Sequence, residues 1–246
     1  MSLQACANLV ARADPERFSA AMAAPVAARA VLLPVYAASI EVARAPWLTQ
    51  EPMIAEMRLQ WWRDAFEEIE TGRPRKHEVV DALAPVLGPK GAAALDAMVL
   101  ARRWDIYKEG FNTAADVLAH VRTITLGPMI AALEALDHLP EDLSALHAHA
   151  TQLGLARFLR GVPALIERKT PVWAKDQKVQ IYRSLCIQAI DMTRVFIRSP
   201  ALIETAYCRR TLEFVQKNPG VVEVGAIPEF RIGATLARGW LAWRCG

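Results

Sequence analysis

Two pairs of acidic residues have the spacing of a divalent-cation site. Asp64 and Glu68 are four residues apart, as are Asp105 and Glu109, and on a helix this spacing places both carboxylates on one face. Carboxylate oxygens are ligands that magnesium prefers in proteins. Basic residues also stand beside both pairs, so the alternative is an exposed helical face with surface ion pairs. We prefer this second interpretation.

Other common catalytic patterns are absent from the sequence. His147 and His149 are two residues apart, which places them on different faces of a helix and argues against a zinc site. GxSxG, P-loop and GxGxxG motifs do not occur. The sequence therefore gives no support for a common type of hydrolase or nucleotide-binding protein.

Composition narrows the class of protein further. The 246 residues are 53% hydrophobic and carry a net charge of only +3, which does not favour nucleic-acid binding. Four scattered cysteines without CxxC spacing suit a reducing compartment. The longest apolar region, 20–40, contains Arg29, Pro25 and Pro34, which argues against a membrane-spanning helix. We therefore expect a cytoplasmic protein, attached to a membrane at most peripherally.

The elements that position these residues are predicted to be helices. Glycine is scarce and apolar residues recur at helical spacing, so the chain is predicted to be all-α. Asp14-Pro15 and Thr113 with Asp116 are typical helix starts. These signals predict a single domain over 1–246 with helices at 14–24, 26–44, 52–70, 76–86, 90–109, 114–136, 141–167, 175–198, 201–217 and 230–243.

A series of motifs along the chain resembles the squalene/phytoene synthase family. The series runs DPERF from Asp14, LLPVYAASIEVAR, MRLQWWRDAFEEIETGRP, RWDIY from Arg103, and GLARFLR from Gly154. Their order is more specific than any single motif, and the resemblance covers about residues 14–175. It implies an isoprenoid-synthase-like helical bundle around a central cavity.

The chain departs from that family at the magnesium-binding positions. The resemblance implies two acidic motifs, each with aspartates four residues apart, which would fall at Ala43–Trp47 and Gly161–Leu165. Neither segment contains a carboxylate. We therefore predict a non-catalytic protein with no cofactor. The alternative is an active prenyl-diphosphate transferase with Mg²⁺ at a relocated cluster of Asp64, Glu68, Asp105 and Glu109.

The missing aspartates are typical of a degenerate branch of the family that includes a respiratory complex I assembly factor. This resemblance implies help in assembling a respiratory complex, with a subunit of that complex as partner, near the inner membrane. An isoprenoid or phospholipid ligand, held without a partner protein, is the other expectation.

Candidate ligand-binding residues follow from the same comparison. Arg44 and Arg157 fall where the family has a carboxylate and an asparagine near the metals, so with Arg160 they are predicted to form a basic mouth for a phosphate-bearing headgroup. The pocket-lining candidates are Tyr36, Arg58, Trp62 and Phe66, for which simple core packing is the alternative.

The C-terminal segment, 230–246, mixes arginines with Trp240 and Trp243. This composition suits a membrane interface. It also suits a helix that docks on the domain through its tryptophans, and we prefer docking.

Overall fold

The computed structural model describes residues 2–174, 179–229 and 231–245, without the side chains of 231–234 and 243–245. Its α-helices are α1 (Ser2–Ala13), α2 (Pro15–Ala23), α3 (Val26–Arg44), α4 (Pro52–Glu70), α5 (Glu78–Leu83), α6 (Pro89–Ala101), α7 (Trp104–Tyr107), α8 (Ala114–Ala135), α9 (His147–Glu167), α10 (Gln180–Ile190), α11 (Cys208–Lys217) and α12 (Arg231–Cys245). Short 3-10 helices span Ala45–Leu48, Leu143–Leu146, Pro200–Thr205 and Pro219–Val221. Within these described ranges, extended pairing is limited to a bridge between Phe111 and Trp173. The all-α prediction is confirmed.

Local sequence explains where the long helices begin. The Asp14 side chain accepts a hydrogen bond from the Arg17 amide, and Pro15 occupies the first position of α2, where its missing N–H is not needed. Thr113 and Asp116 form a reciprocal capping box at the start of α8, which satisfies two backbone donors at once. The predicted starts of both helices are thus confirmed to within a residue.

Several predicted boundaries are wrong. Helix α1 was not predicted, yet it packs Cys6 and Val10 into the core. The predicted helix 90–109 breaks after Ala101, and its second part ends at Lys108, which has a left-handed backbone with φ 54°. Residues 175–178 lie outside the described residues, so the start of the predicted helix 175–198 is not covered.

The predicted helix 175–198 is also wrong beyond Ile190. Gln152 from α9 donates to the carbonyls of Ala189 and Met192, and the His149 ring bonds the carbonyl of Val195 at 2.7 Å. These side chains satisfy backbone groups that a longer helix would have bonded internally. β-branched residues and the approaching Pro200 disfavour helix in the same stretch.

The core lies where α3, α6, α8 and α9 pack against one another. Helix α3 is buried on several sides, with Leu32, Val35 and Tyr36 almost fully enclosed. The stretch Val26–Leu48 is long and apolar enough to cross a membrane by composition, but 67% of its apolar window is buried within the protein. Its hydrophobicity is accounted for by core packing.

Candidate functional site

A cavity of about 650 Å³ opens between α3, α8, α9 and the start of α2. Both segments that correspond to the family's acidic motifs border it: Ala43 and Trp47 on one side, Gly161 and Leu165 on the other. Side chains far apart in sequence thus face one space. At the four positions where the motif requires aspartate, the chain presents alanine, tryptophan, glycine and leucine.

The carboxylates that border the cavity, Asp14 and Asp105, are each held by arginine. Asp14 lies 3.7 Å from Arg17 and 3.9 Å from Arg157, and Asp105 lies 3.2 Å from Arg102. Burial alone would raise the pKa of Asp14, but Arg157 and Arg17 lower it below its usual value. Burial raises the pKa of Asp105 in spite of Arg102.

These donors do not fit the magnesium site that the family implies. A magnesium cluster needs several carboxylates converging on one point. Among the described residues, no group of three or more His, Cys, Asp or Glu side chains is placed to bind a metal ion. The two carboxylates of the cavity are already engaged by guanidinium groups.

A buried charge network lies behind the inner wall of the cavity, where Asp14, Arg17 and Arg157 line it. Glu204, whose side chain is 1% exposed, bonds Arg17 at 3.0 Å and Arg157 at 2.8 Å. Burial would lower the pKa of Arg157, but Glu204 and Asp14 raise it above its usual value. Because two carboxylates face two guanidinium groups, the charges of this wall balance.

Tyr36 packs against the same network. The Arg17 guanidinium lies over its ring, 5.1 Å from the centroid. Burial, followed by the charge of Glu204, raises the pKa of Tyr36 well above its usual value. The Tyr36 hydroxyl, Glu204 Oε1 and Arg157 Nη1 are buried without a hydrogen-bond partner in the described part of the protein. Buried polar atoms of this kind normally bind water or a ligand.

The mouth of the cavity carries cations around Trp47. The Arg168 guanidinium lies 4.8 Å from the centroid of the Trp47 ring, and Lys108 Nζ lies 5.2 Å from it. Neither cation is ion-paired with a carboxylate among the residues described. Arg44, also at the mouth, bonds Glu41 at 2.9 Å.

An aromatic cluster forms a further wall. Trp104 and Phe111 stack at 4.6 Å, and His120 and Phe158 pack against them. Burial, with a smaller contribution from Arg102, lowers the pKa of His120 to about 4. His120 is therefore neutral at pH 7 and presents an uncharged ring to the cavity.

The predicted ligand-binding residues are divided among several environments. Arg44 and Arg157 border the cavity, and Tyr36 lies in the wall behind it. Arg160 lies one turn beyond Arg157 on α9 and donates to the Pro228 carbonyl at 2.7 Å and to Thr211 Oγ1 at 3.2 Å. Arg157 and Arg160 line a smaller cavity together with Glu204, but Arg160 does not line the cavity that Arg44 and Arg157 border.

The remaining predicted pocket residues lie on α4, away from the cavity. Arg58 is exposed. Trp62 and Phe66 are buried and pack against each other with their ring centroids 5.8 Å apart. This placement matches the core-packing alternative for the two aromatic residues.

The alternative acidic cluster is not brought together. Glu68 makes a two-pronged hydrogen bond with Arg75, at 2.6 and 2.7 Å, and Asp64 lies 3.8 Å from the same arginine. Asp105 faces the cavity, whereas Glu109 is exposed beyond the left-handed turn at Lys108. That turn removes the helical spacing on which the second pair depended.

Sequence reasoning missed several residues that line the cavity, namely Asp14, Arg17, Trp47, His120 and Arg168. It also missed Lys108 and Glu204, which contact that lining. Asp14 was identified as a helix cap, and its second role carries no separate local signal. Glu204 comes from a 3-10 helix beyond the stretch that resembles the family. Only the tertiary fold places it beside Arg17 and Arg157.

The fold places the protein among the isoprenoid-synthase-like helical proteins. It is similar to a solved structure described as a dehydrosqualene synthase in complex with ligand, with a TM-score of 0.72, 15% identity, and coverage of 98% of this chain and 96% of the other. Residues 10–175 match the family described as squalene/phytoene synthase, and the chain belongs to that family. No curated protein matches the sequence significantly.

Proposed function

We propose that this protein is a non-catalytic member of its family that binds an anionic lipid or isoprenoid in the cavity without magnesium. One observation carries the proposal: the two segments that would bind magnesium face each other across the cavity, and neither contributes a carboxylate. A diphosphate leaving group needs its charge neutralised as it departs. Here the available positive charge belongs to arginines and a lysine.

The distribution of charge indicates how such a ligand would be oriented. The inner wall is balanced, because Asp14 and Glu204 face Arg17 and Arg157. Lys108 and Arg168, which have no carboxylate partner in the described part of the chain, lie at the mouth. A ligand with its anionic group at the mouth therefore gains favourable electrostatic interactions there. Its chain then packs against the apolar and aromatic walls.

The first test measures catalysis. Purified protein is incubated with prenyl diphosphates and Mg²⁺, and pyrophosphate release is compared with that of a heat-inactivated control. We expect no release above the control. Turnover that Asp64→Asn or Asp105→Asn abolishes would overturn the proposal in favour of a relocated metal cluster.

The second test measures the bound ligand. Native mass spectrometry of protein purified from cells should show a retained lipid or isoprenoid, and Arg168→Glu or Arg44→Glu should reduce its occupancy because each places a carboxylate at the mouth. Arg73→Glu is the matched control, since Arg73 is exposed in the loop after α4. Absence of a retained ligand, or equal loss in all three variants, would contradict the proposal.

The proposed function extends to the assembly of a respiratory complex near the inner membrane. This part rests on the resemblance of the WWRDA helix, α4, to the assembly-factor branch. Deletion of the gene should lower the amount of assembled complex I, measured by native gel electrophoresis of membranes. A normal amount of complex in the deletion strain would reject this role and leave the ligand proposal intact.

A further inference from the structure

An exposed apolar surface lies beside the cavity mouth. Its members are large hydrophobic side chains, each more than a third exposed, from the 3-10 helix Ala45–Leu48, the first turns of α4 and the end of α7. We call them the apolar rim: Leu48, Met53, Ile54, Met57 and Tyr107. Met53 is 77% exposed and Met57 is 67% exposed. Clustered exposure of this kind marks an interaction surface.

The three elements of the apolar rim are packed together. The 3-10 helix contacts both α4 and α7. The Tyr107 hydroxyl donates to Glu56 Oε1 at 2.8 Å, and Arg103 Nε donates to the same oxygen at 2.8 Å. These bonds fix α7 against α4, so the rim is one continuous surface.

The apolar rim is also continuous with the cavity. Leu48 borders the cavity while about half of its surface remains exposed. Its neighbour Trp47 borders the cavity too, with Lys108 and Arg168 over its ring. Tryptophan flanked by Lys and Arg is the composition that concentrates at the interface of a bilayer, where the ring meets the headgroups and the cations meet phosphate.

We infer that the apolar rim docks on an anionic lipid bilayer, with the cavity mouth turned toward the headgroups. Methionine and isoleucine insert below the headgroups, while Lys108 and Arg168 bind phosphates at the surface. Glu56 is neutralised by Arg103 and does not oppose this contact. Glu51 and Glu109, which adjoin the rim residues in sequence, are exposed, and in this arrangement they stay in water.

Helix α12 presents a second exposed apolar surface, which is the alternative site of contact with a bilayer. Helix α12 packs Leu241 and Ala242 on the core and donates from Arg238 to the Glu16 carbonyl at 3.3 Å, so it docks on the domain. The prediction that it docks through its tryptophans is not tested at Trp243, whose side chain lies outside the described residues. The outer side of α12 still exposes Leu236, at 70%, and Trp240. The apolar rim differs from this helix because it borders the cavity that contains the positions of the family's acidic motifs.

The test measures co-sedimentation of the full-length protein with phosphatidylcholine vesicles that contain about one quarter phosphatidylglycerol. We expect the wild type to bind and the double variant Met53→Asp/Met57→Asp to bind at least about tenfold more weakly, since charges replace inserting side chains. Val224→Asp is the control, because Val224 is 75% exposed and lies outside the rim. Circular dichroism melting confirms that each variant is folded.

Docking through the rim would be overturned if the wild type failed to bind these vesicles, or if the double variant bound them as the wild type does. It would also be overturned if Leu236→Asp abolished binding while the rim variant retained it. The anionic preference is checked with pure phosphatidylcholine vesicles. Lys108→Gln/Arg168→Gln should reduce binding to the mixed vesicles to the level seen with the neutral ones.

Docking goes beyond the proposed cavity ligand, and the two can fail separately. A protein that retains a lipid in native mass spectrometry but does not sediment with vesicles would reject docking alone. A protein that sediments with vesicles yet retains no lipid would reject the cavity ligand alone.

Discussion

Glu204 is the residue on which the buried charges of the cavity wall depend. It bonds both Arg17 and Arg157, and its side chain is almost inaccessible to water. Replacing it with glutamine or alanine leaves two guanidinium groups buried with Asp14 as their nearest carboxylate. Breaking a buried ion pair from one side costs about 3–5 kcal/mol. We expect Glu204→Gln to lower the free energy of unfolding in urea by an amount in that range.

An exposed ion pair provides the control for this prediction. Glu213 bonds Arg209 at 3.2 Å on the surface of α11, and surface pairs of this kind contribute little. Glu213→Gln should leave the urea midpoint nearly unchanged. Equal effects of the two substitutions would show that the Glu204 network is not a buried structural element.

His120 gives the stability of the protein a predictable pH dependence. Burial lowers the pKa of its ring to about 4, whereas an unfolded histidine titrates near 6.5. Between these values the unfolded chain binds a proton that the folded protein does not bind. Stability therefore rises with pH through this window and is complete above it. The contribution of His120 lowers the free energy of unfolding by on the order of 3 kcal/mol when the pH falls from 6.5 to 4.

Replacing His120 with glutamine tests this linkage. The variant should lose less stability than the wild type when urea unfolding is measured at pH 7 and again at pH 4.5. Asp14, whose pKa is lowered, contributes stability that is lost only at still lower pH, so it does not mask the effect. Identical pH slopes for the two proteins would mean that His120 is accessible to protons in the folded state.

At the scale of elements, the contact between α8 and α9 depends on a glycine. A Cβ atom at Gly154 would lie well inside the van der Waals distance of the Val121 carbonyl oxygen and the Thr125 hydroxyl. At Gly161, two turns along the same helix, a Cβ atom would meet nothing within 4 Å. Gly154→Ala should therefore destabilise the protein by about 1–3 kcal/mol because of overpacking.

Gly161→Ala should have the opposite sign. It lies on the same helix and removes a helix-disfavouring residue, which is worth about 0.5–1 kcal/mol of added stability. Thermal unfolding of both variants compares the signs directly. Loss of stability in both would mean that the space beside Gly161 is filled by a neighbouring element.

The sequence predicted elements best where a cap marks their start. Pro15, Pro52 and Thr113 each begin a helix as expected, because capping is a local interaction that neighbouring residues determine. The end of α10 depends in addition on tertiary contacts, those of Gln152 and His149 with a passing backbone. β-branched residues and Pro200 disfavour helix there, but the partners on α9 are set by the fold.

In the candidate site, too, some features can be predicted from the sequence and others depend on the fold. The positions of the missing aspartates could be predicted, because they depend on motif order along the chain. Arg160 was grouped with Arg157 at the cavity mouth, yet its guanidinium bonds the Pro228 carbonyl, which belongs to a segment beyond the stretch that resembles the family. The contact of Lys108 and Arg168 with Trp47 joins three segments far apart in sequence. Such a contact follows only from the fold.

At the scale of the whole molecule, the cavity combines a balanced interior with a cationic mouth. The inner arginines face Asp14 and Glu204, and Lys108 and Arg168 stand at the opening beside the apolar rim. This arrangement is the basis of the proposed amphiphilic ligand, whose charge would stay at the surface. The described residues contain no converging carboxylates that would retain divalent cations inside.

This charge distribution predicts that magnesium does not stabilise the folded protein. A ligand that binds only the native state raises the melting temperature, but here the cavity carboxylates are held by arginines. Melting curves in millimolar MgCl₂ and in EDTA should therefore coincide. The quadruple variant Ala43→Asp/Trp47→Asp/Gly161→Asp/Leu165→Asp places carboxylates on both sides of the cavity, and magnesium should raise its melting temperature. A magnesium-induced shift in the wild type that Asp14→Asn or Asp105→Asn removes would show that these carboxylates exchange arginine for metal.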